Sequence, residues 1–306
     1  MPGVSRPSLL FPLGETQNTF QEQSKLAKVS PFMKVFFPCL ALCLCSHLGA
    51  QSADIQVYKK VQGHELNLHI FTPVNHESER HKKPAIVFFF GGGWVGGTPK
   101  QFYPQCQHLA KLGMVAISAE YRVKSRQGAT PFDCVEDGKS ALRWVRAHAD
   151  KLGVDPNRIG AGGGSAGGHV AAAVATVSGL DAPGDDLSIS CRPDALVLFN
   201  PVYDNGPGGF GYGKVKDRYR EISPMHNLSQ GMPPTVVFLG DRDHLIPVST
   251  AENFRDEMVK LGIRSELFIY PGQKHGFFNQ GKPGDGYAKT VAEMERFLVS
   301  LGWLDL

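Results

Sequence analysis

The stretch Gly162-Gly163-Gly164-Ser165-Ala166-Gly167-Gly168 decides how the rest of this chain is read. Before it, Arg158–Gly162 reads as a short strand. After it, the alanine-rich run Ala166–Val177 reads as a helix. Gly163, Ser165 and Gly167 form G-x-S-x-G, a spacing that suits a sharp strand-to-helix turn lifting one serine hydroxyl above a sheet. Small residues two before and two after the serine are needed because such a turn is crowded. The helix that follows contributes unpaired N–H donors and a partial positive charge at its start. The same residues also fit G-x-G-x-x-G through Gly162, Gly164 and Gly167, the pattern of a dinucleotide site. Two features count against that alternative. Several strands already precede the motif, and the acids about twenty residues on, Asp185 and Asp186, lie in a Gly/Pro loop rather than at a strand end.

Working outward, strand-like and helical runs alternate. Val57–Val61 and Glu65–Phe71 read as an opening hairpin turning at Gly63-His64. Ala85–Phe90 and Met114–Tyr121 are continuous apolar runs of the kind that form buried parallel strands. Asp133–Leu152 has helical spacing. Ala195–Phe199, Thr235–Leu239 and Glu266–Tyr270 read as three further strands, with helices at Thr250–Leu261 and Tyr287–Leu301. Eight strands with helices interleaved after the first pair predict an α/β fold, a mostly parallel sheet with helices on both faces. Asn200 to Pro234 departs from this rhythm. It is rich in glycine and carries Tyr203, Phe210, Tyr212 and Tyr219, and a long irregular insertion of this kind is usually functional.

A serine nucleophile needs a base to take its proton and an acid to hold the base in the right tautomer. In this topology the order is Ser, then Asp or Glu, then His, on loops after later strands. The strand Thr235–Leu239 leads into Gly240-Asp241-Arg242-Asp243-His244, and Glu266–Tyr270 leads into Pro271-Gly272-Gln273-Lys274-His275. His275 is the base candidate. The acid is Asp243 or Asp241, the latter also suited to capping its own turn. His244 and His226 read as surface residues. Gly91-Gly92-Gly93-Trp94 follows a strand directly, and free N–H groups in such a loop can converge on one oxygen.

The chain has 306 residues, 35 of them glycine, and 32 Lys and Arg against 29 Asp and Glu. This near-balance gives no reason to expect nucleic acid as a partner. Residues 1–53 differ in kind. A polar stretch is followed by Met33-Lys34, an apolar run from Val35 to Leu44, and the small-residue exit Ala50-Gln51-Ser52-Ala53. That order reads as a signal peptide starting at Met33, and hence as export to the periplasm or beyond. The alternative is an uncleaved membrane anchor, although the run is too short for a stable span. Leu42 before Cys43 argues against lipoprotein processing. Residues 54–306 are then one catalytic domain. They keep Cys106, Cys134 and Cys191, which allow at most one internal disulfide and lack zinc-site spacing. Buried apolar thiols are the expectation for all three.

Taken together, Gly91-Gly92-Gly93-Trp94, Tyr121-Arg122, Asp155-Pro156-Asn157-Arg158-Ile159, the Ser165 motif, Gly240-Asp241-Arg242-Asp243-His244-Leu245-Ile246-Pro247 and His275-Gly276-Phe277 resemble the α/β-hydrolase esterases and lipases. The branch is the hormone-sensitive-lipase-like and acetyl-esterase-like one, and the resemblance runs from about Val57 to the C-terminus. It implies Ser165 as nucleophile, His275 as base and Asp243, not Asp241, as the orienting acid. It also implies an oxyanion hole made by the N–H groups of Gly92, Gly93 and Ala166, and no metal or organic cofactor. Phe90 stands where the family usually has His before the glycines, which puts the rigidity of that loop in question.

No large helical cap is visible, so Trp94, Phe210, Tyr212 and Tyr219 are the expected pocket wall. Such an open site favours short acyl, above all acetyl, esters of small molecules or carbohydrate, including acetylated or feruloylated polysaccharide. A prolyl-oligopeptidase-like serine peptidase is the competing enzyme, and a catalytically silent binding protein on a hydrolase fold is the competing class. The sequence does not set the oligomeric state.

Overall fold

Strand periodicity builds the molecule. The computed structural model describes residues 52–74, 76 and 82–305, so the proposed leader and the polar stretch before it lie outside the described residues up to Gln51. Eight strands, β1 (Asp54–Val61), β2 (His64–Phe71), β3 (Lys83–Phe89), β4 (Val115–Ala119), β5 (Val154–Gly164), β6 (Leu196–Phe199), β7 (Thr235–Gly240) and β8 (Ser265–Tyr270), form one open sheet. Its order is β1-β2-β4-β3-β5-β6-β7-β8. The pairs β1/β2 and β2/β4 are antiparallel, and the rest are parallel. This is the mostly parallel eight-stranded α/β-hydrolase sheet that the sequence predicts.

The helices are α1 (Tyr103–Lys111), α2 (Lys124–Gln127), α3 (Pro131–Ala147), α4 (Ala166–Thr176), α5 (Tyr212–Val215), α6 (Val248–Lys260) and α7 (Gly286–Ser300). Alternate residues of each strand serve opposite faces. Ala85, Val87 and Phe89 of β3 join the core under α3, α4 and α6, whereas Ile86 and Phe88 join the core under α1 and α7. The central strands β3, β4, β6 and β7 are therefore buried on both sides, which is why they read as unbroken apolar runs.

Several boundaries differ from the sequence expectation. The first hairpin turns at Gln62-Gly63, and His64 already belongs to β2. Phe90 lies just beyond β3. The helix expected over Asp133–Leu152 runs from Pro131 to Ala147, started by a capping box in which Thr130 and Asp133 exchange hydrogen bonds. β5 is longer than expected at both ends. Its start is irregular: the register shifts between Lys83 and Ala85 of β3, so Asp155 to Arg158 bulge out of the ladder. Helix α1 was not expected at all. Among the described residues, no helix is long and apolar enough to cross a membrane. Cys106 and Cys134 are buried and Cys191 is half-buried, and all three are free. Burial pushes the Cys106 thiol well above its usual pKa.

Candidate active site

The site sits at the carboxyl ends of the parallel strands, where open α/β sheets place their ligands. β5 runs straight through the glycine triplet to Gly164, and α4 starts at Ala166. Ser165 between them has φ 55 and ψ −119, a conformation that L-residues adopt only under constraint. The constraint is close packing. A Cβ on Gly167 would lie 2.0 Å from the Phe89 carbonyl oxygen and 2.4 Å from that of Phe90. The Ser165 N–H is anchored by donating to the Phe199 carbonyl across the sheet at 2.9 Å.

Three loops then converge. His275 Nε2 is 2.8 Å from Ser165 Oγ, and His275 Nδ1 is 2.7 Å from Asp243 Oδ2. The Asp243 carboxylate is fully buried, and its other oxygen accepts the N–H groups of Leu245 at 2.8 Å and Ile246 at 3.0 Å. Burial pushes this carboxyl upward, but the hydrogen bonds from His275 and the two amides outweigh it and hold it below its ordinary range. An ionised carboxylate at Nδ1 selects the tautomer with hydrogen on that nitrogen. Nε2 is then left to accept from the serine hydroxyl. Asp241 is not part of this line. It is exposed, and its carboxylate accepts the Gly272 N–H at 2.6 Å, tying the loop after β7 to the loop after β8.

The loop after β3 forms the opposite wall. Gly92 and Gly93 both have positive φ, and a Cβ on Gly92 would meet the Gly96 carbonyl oxygen at 2.3 Å. Phe90 is fully buried and stacks on Tyr121 at 4.2 Å, and the Tyr121 hydroxyl donates to the Phe90 carbonyl at 2.5 Å. The Gly91 N–H donates to Gln101 Oε1 at 2.6 Å. Hydrogen bonds and stacking therefore anchor a loop whose usual histidine is replaced by Phe90. Ala166 is the first residue of α4, so its N–H needs no intrahelical partner.

Ser165 and His275 line an open cavity of about 400 Å³ with Gly91, Gly92, Gly93, Gln101, Asn200, Phe210, Leu245, Phe278, Asn279 and Lys282. Of the four expected wall residues only Phe210 lines it. Trp94 is 1% exposed, packs edge-on to His169 and lines an adjacent cavity of about 310 Å³ that shares Gly93. Tyr212 and Tyr219 pair with each other, ring centroids 6.3 Å apart, away from the cavity. Two short helical turns, Tyr212–Val215 and Lys216–Glu221, carry them, and Tyr219 packs toward Val215 and Ile222. His226 is half-buried rather than a surface residue, bonded to the Ser223 hydroxyl at 2.9 Å, whereas His244 is exposed. Asn200, Gln101 and Asn279 are cavity residues that the sequence reading did not single out, and a lone amide side chain in a loop carries no local signal. His169, one turn after Ser165, is fully buried against Trp94 and lines neither cavity. Burial lowers its pKa to about 4, against the pull of Asn205 and the Ile222 carbonyl.

Comparison with known proteins gives the family. A BD-FAE family model matches residues 68–192, and a dienelactone hydrolase family model matches residues 208–301. The "Probable carboxylic ester hydrolase LipM" of Mycobacterium tuberculosis is 29% identical over 71% of this chain and 54% of its own length. "Esterase LipC" of the same organism is 31% identical over 63% of this chain and 53% of its own length. The chain thus spans about half the length of these curated relatives. Thermogutta terrifontis esterase 2, solved as a form phosphorylated by paraoxon, is 44% identical with a TM-score of 0.79, covering 84% of this chain and 97% of that one. It has also been solved with propionate and with butyrate bound. With that identity over nearly the whole of a solved esterase, and the fold to match, this chain belongs to the α/β-hydrolase esterases, in their hormone-sensitive-lipase-like branch.

Proposed function

We propose that this chain is a serine carboxylesterase that hydrolyses short-chain acyl esters, acetyl foremost, through an acyl-enzyme. The observation that carries this reading is the unbroken line from Ser165 Oγ through His275 to buried Asp243, 2.8 and 2.7 Å long, at the wall of an open cavity. Ser165 attacks the ester carbonyl while His275 Nε2 takes the hydroxyl proton, and Asp243 steadies the imidazolium that forms. The N–H groups of Gly92, Gly93 and Ala166 receive the oxyanion, each such donor being worth roughly 2.7–4 kcal/mol to the intermediate. His275 returns its proton to the leaving alcohol. It then activates water, which releases the carboxylic acid and restores Ser165.

Cavity size supports the short acyl group. About 400 Å³ is at the small end of ligand sites, which run from about 300 to 1,000 Å³. The propionate- and butyrate-bound forms of the Thermogutta esterase point the same way. Lys282 at the cavity, a side chain with three donors, suits a hydroxylated leaving group, so acetyl or feruloyl esters of carbohydrate are the natural extension.

The test is hydrolysis of p-nitrophenyl esters from C2 to C12 by the wild type and by Ser165→Ala. Activity highest at C2–C4 and lost in the variant is expected. Equal inactivity of both proteins would favour a silent binding protein, and a maximum above C8 would refute the short-chain claim. Cleavage of proline anilides without esters would favour a peptidase. Acetate release from acetylated xylan tests the carbohydrate extension. We place the enzyme outside the cytoplasm, on the leader-like run at residues 33–53. An exported product whose N-terminal mass starts at Ala53 or Asp54 is the expected result, and an intact N-terminus in the cytoplasm would refute it.

A further inference from the structure

We propose that Gln101 and Asn279 form a positioning relay that locks the Gly91–Gly93 loop to the His275 loop, holding oxyanion donors and base as one unit. The bonds run in one direction. The Gly91 N–H donates to Gln101 Oε1 at 2.6 Å, and Gln101 Nε2 donates to Asn279 Oδ1 at 2.9 Å. Asn279 Nδ2 donates to the Gly276 carbonyl at 2.8 Å. The Gly276 N–H, next to His275, donates to Asn200 Oδ1 at 2.8 Å, and the Asn200 N–H donates to the Phe238 carbonyl of β7 at 2.7 Å. Reversing either the Gln101 or the Asn279 amide would set donor against donor or acceptor against acceptor, so each orientation fixes the next.

The need for such a relay lies in Phe90. An aromatic ring there provides stacking but no hydrogen bond toward the glycine loop. The Tyr121 hydroxyl holds the carbonyl of Phe90 from one side. The next N–H along, that of Gly91, is held by Gln101, carried on the short 3-10 turn Pro99–Phe102. Gly91 packs on the nucleophile turn itself, where an added Cβ would lie 3.0 Å from the Gly164 carbonyl oxygen and 3.3 Å from Ser165 Cβ. A shift of Gly91 therefore moves the oxyanion loop relative to Ser165. Gln101 and Asn279 make no hydrogen bond to Ser165, His275 or Asp243, so they act through the backbone that they hold. The kinetic consequence rests on the esterase reading above, whereas the mechanical coupling does not.

The test is hydrogen-exchange mass spectrometry on the full chain, with kinetics beside it. In Gln101→Leu, exchange at 272–280 is expected to quicken about tenfold as well as at 90–97, with the melting temperature within a few degrees of wild type. Asn279→Leu is expected to quicken exchange at 90–97, because coupling between two sites is reciprocal. With p-nitrophenyl acetate, each variant is expected to lose roughly 10- to 100-fold in kcat with KM little changed, as for misplaced rather than missing donors. Inhibition by a trifluoromethyl ketone, which forms an oxyanion at Ser165, is expected to weaken by a similar factor. The double variant is expected to be no slower than the slower single one. Unchanged exchange at 272–280 in Gln101→Leu, or losses that multiply in the double variant, would overturn the relay. A wild type that cleaves no ester would sink the esterase reading alone, since exchange still decides the coupling. If Gln101→Leu does not fold, Asn279→Leu carries the test from the other end.

Discussion

Asp243→Asn isolates what the buried acid does. The two side chains have the same shape, so packing is kept and only hydrogen bonding changes. Asp243 Oδ1 accepts two backbone N–H groups and Oδ2 faces His275 Nδ1. Asparagine has one oxygen to offer. If that oxygen stays with Leu245 and Ile246, its NH2 faces His275 and forces the tautomer with hydrogen on Nε2, which cannot accept from Ser165. To recover the working tautomer the amide must flip. Two buried N–H groups then lose their acceptor, at about 1–3 kcal/mol each. The total, roughly 2–6 kcal/mol, corresponds to a loss in kcat of roughly 30- to 3 × 10⁴-fold at 1.36 kcal/mol per decade.

The assay is kcat for p-nitrophenyl acetate at pH 8, beside thermal melts to show that the fold persists. Asp241→Asn is the control. Its carboxylate is exposed and accepts the Gly272 N–H, a bond that the asparagine oxygen can also accept, so a change of under about threefold is expected. An Asp243→Asn enzyme that keeps more than a third of wild-type kcat, or an Asp241→Asn enzyme that loses more than Asp243→Asn, would refute the assignment.

Three further outcomes follow from the geometry. Gly167→Ala would drive a methyl group into the Phe89 and Phe90 carbonyl oxygens, backbone atoms that cannot yield, so destabilisation above about 3 kcal/mol is expected. A wild-type melt for that variant would contradict the packing of the turn. Phe210→Ala is expected to raise KM for p-nitrophenyl butyrate about fivefold, whereas Tyr212→Ala and Tyr219→Ala leave it within about twofold. A larger effect from either tyrosine would show the wall to be drawn wrongly. His169, held near pH 4 by burial, stays neutral in the folded chain while the unfolded chain takes up a proton below about 6.5. Stability therefore falls as pH drops through that window, by roughly 3 kcal/mol. Urea melts at pH 7.5 and 4 read this directly, and an equal fall in His169→Gln would remove the histidine from the explanation.

The parallel core was legible because its central strands β3, β4, β6 and β7 are buried on both faces, and no polar residue breaks Val87, Phe88 and Phe89 or Leu196 to Phe199. Helix α1 was not, and the reason is chemical. It buries Gln105 beside Cys106, Leu109 and Ala110, and it carries Pro104 in its first turn, so its apolar spacing is diluted. The start of β5 was hidden by Asp155, whose carboxylate accepts the Asn157 N–H and gives the segment the local chemistry of a turn.

At the site the same division holds between local and distant causes. Ser165, Asp243 and His275 could be read because each stands on a tight turn at a strand end, and such turns require glycine or turn-forming residues at fixed offsets. The wall could not, because Asn200 to Pro234 has only short helical turns and no period that says which aromatic faces inward. Phe90 makes the sharpest case. By sequence it is only a lost histidine, and the loss predicts a looser loop. In three dimensions its ring stacks on Tyr121, its carbonyl takes the Tyr121 hydroxyl, and the neighbouring amide is held by Gln101. Gln101 in turn bonds Asn279, 178 positions further along the chain. No local pattern links two amide side chains at that separation. On the relay proposed above, a substitution that looks like damage in the motif is a change in where the restraint comes from: the Gly91–Gly93 loop is tied to the His275 loop rather than to a histidine of its own.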